Sequence, residues 1–315
     1  MHMSSKNEIV NAIKEWGLQN SNVNCILHIG SLINNDNDKY SDIDVIVFCN
    51  NVSTFLFEKE WVNEINPFKI CYTQINFSGG MPMKRIVFSN GIELDLTPVK
   101  YNEILKAFIY CKISKTFFYK ILSNNLKDEI ENNIQIFNEY TSNGMKYIVD
   151  KKNISRSIEF ISKSFPKGSF KVTHSMFEEN YNYFFHQIIR ESIRIVRGEL
   201  YASKECAEYF SKAKLRELIE WYMKLEKGMG LDTYHNGKKL EYWCDEKILK
   251  KMAGIYGYLD FESSKNALFN TFNLYTEIAT VVSIKIGYNI NFYIEVKDFT
   301  EEHVNSIFGD IKKSD

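Results

Sequence analysis

The sequence has no long hydrophobic run. Nowhere in its 315 residues do apolar side chains continue for the ~18 positions that a helix needs to cross a bilayer. The first ten residues, MHMSSKNEIV, also lack the hydrophobic centre of a secretory signal peptide. We therefore expect a soluble, cytoplasmic protein without a membrane partner.

Cysteine and histidine patterns that bind metals are absent as well. The six cysteines include no CxxC pair, and the six histidines show neither HxxxH nor HExxH spacing. We therefore expect no zinc site or disulfide framework, and we predict free, mostly buried thiols. The cysteines are Cys25, Cys49, Cys71, Cys111, Cys206 and Cys244.

The chain also lacks an excess of either charge. Its 39 Lys and Arg residues nearly balance its 40 Asp and Glu residues, and the net charge is -1. This balance argues against a protein that mainly coats nucleic acid. A hydrophobic fraction of 44% indicates a folded globular protein, long enough for one large or two ordinary domains.

The first half of the chain mixes strand and helix patterns. VNCILHIGS predicts a strand that ends at a glycine turn, and DIDVIVFC predicts a second strand. SSKNEIVNAIKEWG and STFLFEKEWVNEI have helical spacing, with a serine cap on the first and Ser53 as the N-cap of the second. FKICYTQINF and KRIVFSNGIELDL are strand-like, with a hairpin turn at Asn90-Gly91. We predict a sheet with helices on one side.

The second half of the chain is helical. Apolar residues recur every three or four positions from His174 to about Gly228 and again from Ser263 to about Tyr288. Such stretches bury their apolar faces against one another. The aromatic residues Tyr181, Phe184 and Phe185 are predicted to belong to this helical core.

Two carboxylates occupy one face of the second predicted strand. Side chains alternate across a strand, so Asp42 and Asp44 point the same way. The apolar residues Ile43, Val45 and Ile46 around them indicate burial. Because like charges repel, we expect a cation between the two carboxylates.

A third acid follows in the hairpin strand IELDLTP. Glu93 and Asp95 share one face of this strand, so Asp95 could meet Asp42 and Asp44 on one sheet surface. Carboxylates suit Mg²⁺, and two metal ions can stabilise an in-line phosphoryl displacement. The alternative interpretation is a set of surface acids on exposed strands.

A Gly-Ser pair ends the first predicted strand. Gly30 allows a phosphate to approach the backbone, and the Ser31 hydroxyl with nearby amides can hold it. Gly-Ser alone is a weak signal. Followed by Asp-x-Asp and a later strand-borne acid, it favours a site for a nucleoside triphosphate and a metal ion.

This constellation resembles the nucleotidyltransferase superfamily that includes polymerase beta. Further blocks resemble, in order, the aminoglycoside 6-adenylyltransferase (streptomycin adenylyltransferase) family. They are GSLIN, DKYSDIDV, Trp61, NGIELDLTP, IVDKKN, KVTHSMFEENYNYFF, RGELYA, LRELIEWYM, HNGKKLEYW and LFNTFNLYTEIATVVSIKIGY. The resemblance covers nearly the whole chain except about 106–145, which we interpret as an insertion.

The resemblance implies an α+β fold with two domains. Residues 1–155 would form a nucleotidyltransferase domain whose mixed β-sheet is flanked by helices. Residues 156–315 would form an α-helical bundle that binds the acceptor, with the nucleotide in a cleft between the domains.

The resemblance also implies a reaction, namely AMP transfer from ATP to an aminoglycoside hydroxyl, a modification that confers antibiotic resistance. Asp42, Asp44 and Asp95 would be the catalytic ligands of Mg²⁺, as a two-metal site. Gly30 and Ser31 would bind the nucleotide, and Asp95 would also act as the base. Glu179, at a position where the family block also has an acid, is the second candidate for the base.

The chain departs from the family pattern at three positions. Leu32 stands where the family commonly has Arg, Tyr183 stands where it has an acid, and Thr276 stands where an Arg is expected. These changes affect the expected triphosphate contact and the acceptor pocket.

A cationic acceptor favours acidic pocket residues. The candidates are Glu178, Glu179, Asn182 and Glu191, and the three glutamates could equally be solvated helix charges. Other interpretations keep the fold with a nucleotide, tRNA or protein as acceptor, or with no catalytic activity and nucleotide binding alone.

Overall fold

The computed structural model describes residues 5–33, 41–75, 81–114, 116–141, 144–165 and 171–309. The chain divides into two compact units, Met1–Lys167 and Gly168–Asp315. Within the described ranges, no helix has both the length and the hydrophobicity that crossing a membrane requires.

The first unit combines a six-stranded sheet with five α-helices among its described residues. The helices are α1 Lys6–Gln19, α2 Val52–Phe57, α3 Tyr101–Ile113, α4 Asn124–Tyr140 and α5 Ile154–Ser164. The strands are β1 Val23–Ile29, β2 Ile43–Cys49, β3 Phe68–Gln74, β4 Met83–Phe88, β5 Glu93–Lys100 and β6 Met145–Asp150. Short 3₁₀ turns lie at Ser31–Ile33, Glu60–Glu64 and Phe117–Ile121.

The sheet is mixed, as predicted, with the strand order β3-β4-β5-β2-β1-β6. β2 and β5 are parallel neighbours, and the other pairs are antiparallel. The predicted hairpin at Asn90-Gly91 is confirmed. Gly91 takes a φ of 82°, and the Asn90 side chain accepts a hydrogen bond from the Ile92 amide, which closes the turn between β4 and β5.

Helices cover both faces of the sheet, so the prediction of helices on one side is wrong. α1 and α2 pack on one face through residues such as Ile13 and Phe55. α3, α4 and α5 pack on the other through Ile104, Ile134 and Ile158. Residues 106–145 hold most of α3 and all of α4, and the central strands are buried on both faces because these helices add a second layer.

The segment STFLFEKEWVNEI is also not one helix. α2 ends at Phe57, and a separate 3₁₀ turn covers Glu60–Glu64. Asn51, not Ser53, is the N-cap of α2, because the Asn51 side chain accepts a hydrogen bond from the Ser53 amide. The break leaves Phe55 and Trp61 free to pack edge to face, with Trp61 stacked on Trp16. In α1 the predicted serine cap is confirmed at Ser5.

The second unit is helical, as predicted. Its helices are α6 His174–Val196, α7 Leu200–Ala202, α8 Tyr209–Lys227, α9 Leu240–Trp243, α10 Glu246–Met252, α11 Phe261–Lys285 and α12 Ile290–Gly309, with a π-helical turn at Ser203–Glu208 and 3₁₀ turns at His235–Gly237 and Ala253–Ile255. Tyr181, Phe184 and Phe185 are buried in its core, which confirms their predicted role. Phe184 stacks on Tyr275 with ring centroids 3.5 Å apart.

The cysteines are free, as predicted. Cys25 and Cys49 lie in the central strands, and burial raises the pKa of each thiol to about 12. Such thiols stay protonated at neutral pH and act as small apolar core groups.

Candidate active site

Neighbouring strands place three charged side chains in one row. Asp44 on β2 is directly opposite Asp95 on β5, and Asp95 is directly opposite Arg85 on β4. Directly paired residues project from the same face of a sheet. Val45 and Leu94, the strand neighbours of Asp44 and Asp95, belong to the core on the other face, so the row projects from the face that α3, α4 and α5 cover. Asp44 and Asp95 are close to the first residues of β2 and β5, so the row lies at the N-terminal ends of these strands.

Asp42, immediately before β2, completes the cluster. Oxygen atoms of Asp42, Asp44 and Asp95 all lie within 4.8 Å of one another. Three carboxylates at this spacing match the hard oxygen donors that Mg²⁺ takes in proteins. The donor set therefore fits a divalent cation, and the structure brings together the three acids that the sequence singled out.

Asp95 has the most restrictive environment of the three acids. It is 8% exposed, and Nη1 of Arg85 lies 3.3 Å from its Oδ2. Burial raises the pKa of Asp95 to about 6, Arg85 opposes this rise, and the negative charges of Asp42 and Glu93 add to it. The Asp95 carboxylate is therefore ionised at neutral pH, yet more basic than an ordinary aspartate.

Gly30 meets the acid cluster at the end of β1. Its φ is +84°, a region that side chains with a Cβ rarely adopt. A Cβ at this position would lie 2.2 Å from Oδ2 of Asp44. The predicted glycine turn is thus confirmed, and the turn needs glycine for two independent reasons. The predicted role of the Ser31 side chain, and residues 34–40 of the predicted connection to Asp42, lie outside the described part of the chain.

Replacing Gly30 with alanine should therefore damage the site. The positive φ alone costs about 1–2 kcal/mol for a residue with a Cβ. The added methyl group would also push Asp44 out of the cluster, so we expect a loss of more than about tenfold in the activity of the site, with a lower melting temperature. Activity assays and thermal unfolding on the purified variant measure both effects.

Gly91→Ala is the matched control. Gly91 has nearly the same φ, +82°, but a Cβ there would meet nothing within 4 Å. The Gly91→Ala variant should have a lower melting temperature, because of its positive φ, without the loss of activity. Equal activity losses in the two variants would contradict a specific role for the Gly30 contact.

The predicted acceptor residues all lie on α6 in the second unit. Glu178, Glu179 and Asn182 are exposed. Glu179 also lines a cavity of about 170 Å³, called here the α6–α8 cavity. The cavity is lined by Met176, Glu179, Asn180, Lys214, Glu217 and Trp221.

Asn180 is a buried polar residue that sequence reasoning missed. It is 1% exposed, accepts a 2.5 Å hydrogen bond from the Tyr275 hydroxyl and donates to Oε2 of Glu217 at 2.8 Å. Lys214 pairs with the same Glu217 oxygen at 2.8 Å. The network fixes one wall of the α6–α8 cavity and joins α6 to α8 and α11.

Two departures from the family pattern have local partners in this unit. Tyr183 packs edge to face on Phe210, with the Lys214 ammonium 5.5 Å from its ring centroid. Thr276 donates a hydrogen bond to the Asn273 carbonyl of its own helix.

Glu191 is not a solvated helix charge. It is 2% exposed, and its Oε2 lies 3.3 Å from the Ser211 hydroxyl. Burial and the nearby Glu208 raise its pKa to about 8, although Lys212 and Lys204 oppose the rise. Glu191 is therefore mainly protonated at neutral pH. Its burial could have been inferred from the sequence, because Glu191 shares the apolar face of α6 with Ile188 and Ile195.

Stability should fall as pH rises because of Glu191. Between its ordinary pKa of 4.5 and about 8, the folded protein keeps a proton that the unfolded chain releases. The free energy of unfolding then drops by up to about 1.4 kcal/mol per pH unit. Glu191→Gln keeps a neutral polar group, so it should be more stable than wild type at pH 8 and similar near pH 4.5.

Denaturant unfolding across this pH range measures the effect. Glu179→Gln makes the same chemical change at an exposed position of the same helix and should follow the wild-type curve. Parallel curves for wild type and Glu191→Gln would contradict a proton on Glu191.

The site geometry and the comparisons with known proteins agree. A mixed sheet with one acid just before a strand, a second on that strand, a third on its parallel neighbour and a glycine turn beside them fits the class of nucleotidyltransferases. The sequence profile of the streptomycin adenylyltransferase family matches residues 3–303, and the chain belongs to this family. The predicted family and the predicted nucleotidyltransferase activity are thereby confirmed.

The chain is similar to two aminoglycoside-modifying relatives over most of their length. An aminoglycoside 6-adenylyltransferase from Staphylococcus aureus is 20% identical over 299 residues, which cover 90% of this chain and 92% of that protein. A crystal structure of an aminoglycoside 6-adenyltransferase from Bacillus subtilis matches with a TM-score of 0.42 and 14% identity, covering 97% of this chain and 99% of that one.

Proposed function

We propose that this enzyme transfers AMP from ATP to a hydroxyl group of an aminoglycoside such as streptomycin, in a reaction that depends on Mg²⁺. The observation that carries the proposal is the cluster of Asp42, Asp44 and Asp95 on adjacent strands of an adenylyltransferase-family chain. The product would be a modified antibiotic, so the reaction would confer resistance.

The three carboxylates are the residues that would hold the metal, as one ion or as a pair. Bound Mg²⁺ would supply positive charge against the phosphates of ATP and the developing charge of the reaction. We assign metal binding, and no other role, to Asp42 and Asp44. Asp95 would share it with a second role, because it has a raised pKa and lies beside the other two.

The Gly30 turn is the proposed nucleotide contact. Glycine exposes the backbone there, and backbone amides of such turns bind phosphate oxygens. Ser31, which begins the 3₁₀ turn after Gly30, would add a further contact to the phosphates.

Asp95 is the proposed general base. As the acceptor oxygen attacks the α-phosphorus, its proton passes to the Asp95 carboxylate, and the bond from the α-phosphorus to the bridging oxygen breaks to release pyrophosphate. A base must be ionised before the reaction and basic enough to accept a proton. Burial raises the pKa of Asp95 to about 6 in the metal-free protein, and bound Mg²⁺ would lower it again, so the Asp95 carboxylate is ionised before the reaction.

The α6–α8 cavity is the proposed contact for a cationic acceptor. Glu179 and Glu217 provide negative charge beside the indole of Trp221, and an ammonium group is attracted to carboxylates and to aromatic faces. The Lys214–Glu217 ion pair already neutralises part of this charge. Glu179 is therefore the residue on which we place the acceptor contact, while Glu178 and Asn182 are weaker candidates.

Glu179→Gln should raise the acceptor KM about three- to fivefold and leave kcat nearly unchanged, since an exposed ion pair contributes up to ~1 kcal/mol. Steady-state kinetics with saturating ATP and varied acceptor measure this. Glu178→Gln is the matched control, because Glu178 is its exposed neighbour and does not line the cavity. Equal changes in both variants, or none in either, would contradict the assignment.

The activity itself is tested with ATP labelled on the α-phosphate and a panel of aminoglycosides. We expect the label to appear on at least one aminoglycoside, and we expect no transfer when the label is on the γ-phosphate. If no aminoglycoside is labelled, the acceptor proposal is wrong, and the same assay with nucleotides, tRNA and proteins distinguishes another acceptor from an inactive relative.

A further inference from the structure

Arg85 is a cation built into the acid cluster. It is the direct cross-strand neighbour of Asp95, and its Nη1 lies 3.3 Å from Asp95 Oδ2. A guanidinium carries five N–H donors, so one contact to one oxygen leaves most of them for other partners. The Arg85 side chain is 35% exposed, and its Nε is buried without a hydrogen-bond partner among the described residues.

The neighbouring Lys84, unlike Arg85, has a structural role. Lys84 faces the opposite side of β4, is 4% exposed and donates a 2.8 Å hydrogen bond to the Leu56 carbonyl. Lys84 thus ties β4 to the end of α2. Arg85 is held at the carboxylate cluster, where its charge acts on the acids.

The positive charge of Arg85 acts on the repulsion among the three carboxylates. Carboxylates whose oxygens lie within 4.8 Å of one another repel when ionised, and partial burial strengthens that repulsion. A fixed positive charge in contact with Asp95 relieves part of it. The same charge repels any bare cation that approaches the cluster and attracts a species with net negative charge.

We propose that Arg85 is the resident counter-ion of this cluster, sharing Asp95 with the metal, so that it weakens binding of the bare metal ion and strengthens binding of the metal–nucleotide complex. The metal-binding role of the cluster is taken from the proposed function. Under this proposal the metal enters mainly with its nucleotide, because the complex of a divalent cation with ATP is an anion.

The test measures two affinities that should change in opposite directions. Isothermal titration of the full-length protein with MnCl₂ gives the affinity for the bare ion. A second titration, with the Mn²⁺ complex of an ATP analogue whose α–β bridge is a methylene group, gives the affinity for an uncleavable nucleotide. Neither measurement depends on turnover.

In Arg85→Met we expect Mn²⁺ to bind about fivefold more tightly and the Mn²⁺–nucleotide complex about fivefold more weakly than in wild type. Arg85→Lys keeps the charge and should remain within about twofold of wild type in both. Lys14→Met removes the same charge from an exposed position of α1, on the other face of the sheet, and should match wild type.

Unchanged or weaker Mn²⁺ binding in Arg85→Met would overturn the counter-ion role. Arg85→Gln is the second variant if Arg85→Met does not fold, with the same expected directions. Asp44→Asn separates the two proposals. If wild type binds Mn²⁺ and Asp44→Asn does not, the metal site stands whatever Arg85 does. If wild type fails to bind Mn²⁺ with or without nucleotide, the metal site itself is wrong and the Arg85 proposal falls with it.

Discussion

The Asp44→Asn protein should fold normally and fail to transfer AMP. The substitution removes one negative charge from the three acids that would hold the metal. A bound metal contributes several kcal/mol of transition-state stabilisation, and loss of about 4 kcal/mol corresponds to about a 10³-fold lower rate. Asp42→Asn should behave in the same way, and both are measured by transfer of α-labelled phosphate from ATP.

Stability measurements separate this effect from unfolding. Removing one of several close like charges should leave the melting temperature of the metal-free protein unchanged or higher. Glu15→Gln removes a negative charge from an exposed position of α1 and should retain full activity. An active Asp44→Asn enzyme, or wild-type turnover in the presence of excess chelator, would contradict the role given to the acids.

The Asp95→Asn protein should bind ATP but react very slowly. A general base contributes about 10²–10⁴-fold to a rate, and an asparagine cannot accept the proton. Gly30, Ser31, Asp42 and Asp44 remain in this variant, so ATP binding should be largely intact. Single-turnover rates with saturating ATP and acceptor should therefore fall by at least about 10²-fold while the ATP dissociation constant changes little.

Glu179 is the other candidate for the base, and the same experiment decides between them. Glu179→Gln should keep near-normal single-turnover chemistry once the acceptor is saturating, because its proposed role is acceptor binding. Near-normal chemistry in Asp95→Asn, combined with a collapse in Glu179→Gln, would reverse the two assignments.

The acid cluster could be predicted because Asp44 and Asp95 each stand between apolar residues on a strand and Asp42 precedes Asp44 by two positions. Asp44 lies between Ile43 and Val45, and Asp95 lies between Leu94 and Leu96. Alternation places an acid on one face when its neighbours are buried on the other. The parallel pairing of Asp44 with Asp95 was not visible in this pattern, since it depends on the order of strands in the sheet.

Arg85 could not be placed with the acids from the sequence. The Asn90-Gly91 pair predicts the hairpin, but a shift of one residue in the register between β4 and β5 would pair a different residue with Asp95. The observed turn has three residues between Phe88 and Ile92, which sets Arg85 opposite Asp95. Turn length, and not side-chain pattern, decided this contact.

Long-range partners also explain what was missed in the helical unit. The polarity of Asn180 and Glu191 is typical of exposed positions, but both are buried. Their partners Tyr275 and Ser211 lie 95 and 20 residues away in sequence. Helical periodicity predicts which face of α6 is buried, but it does not identify which polar side chain forms a hydrogen bond with another helical segment.

The most direct test of the central claim is a crystal structure with Mn²⁺ and the uncleavable ATP analogue, with anomalous scattering used to locate the metal. If the three acids hold the metal, manganese is bonded to oxygens of Asp42, Asp44 and Asp95, with the nucleotide phosphates beside Gly30. Nucleotide bound there without manganese at these carboxylates, or manganese bound at other residues, would contradict it.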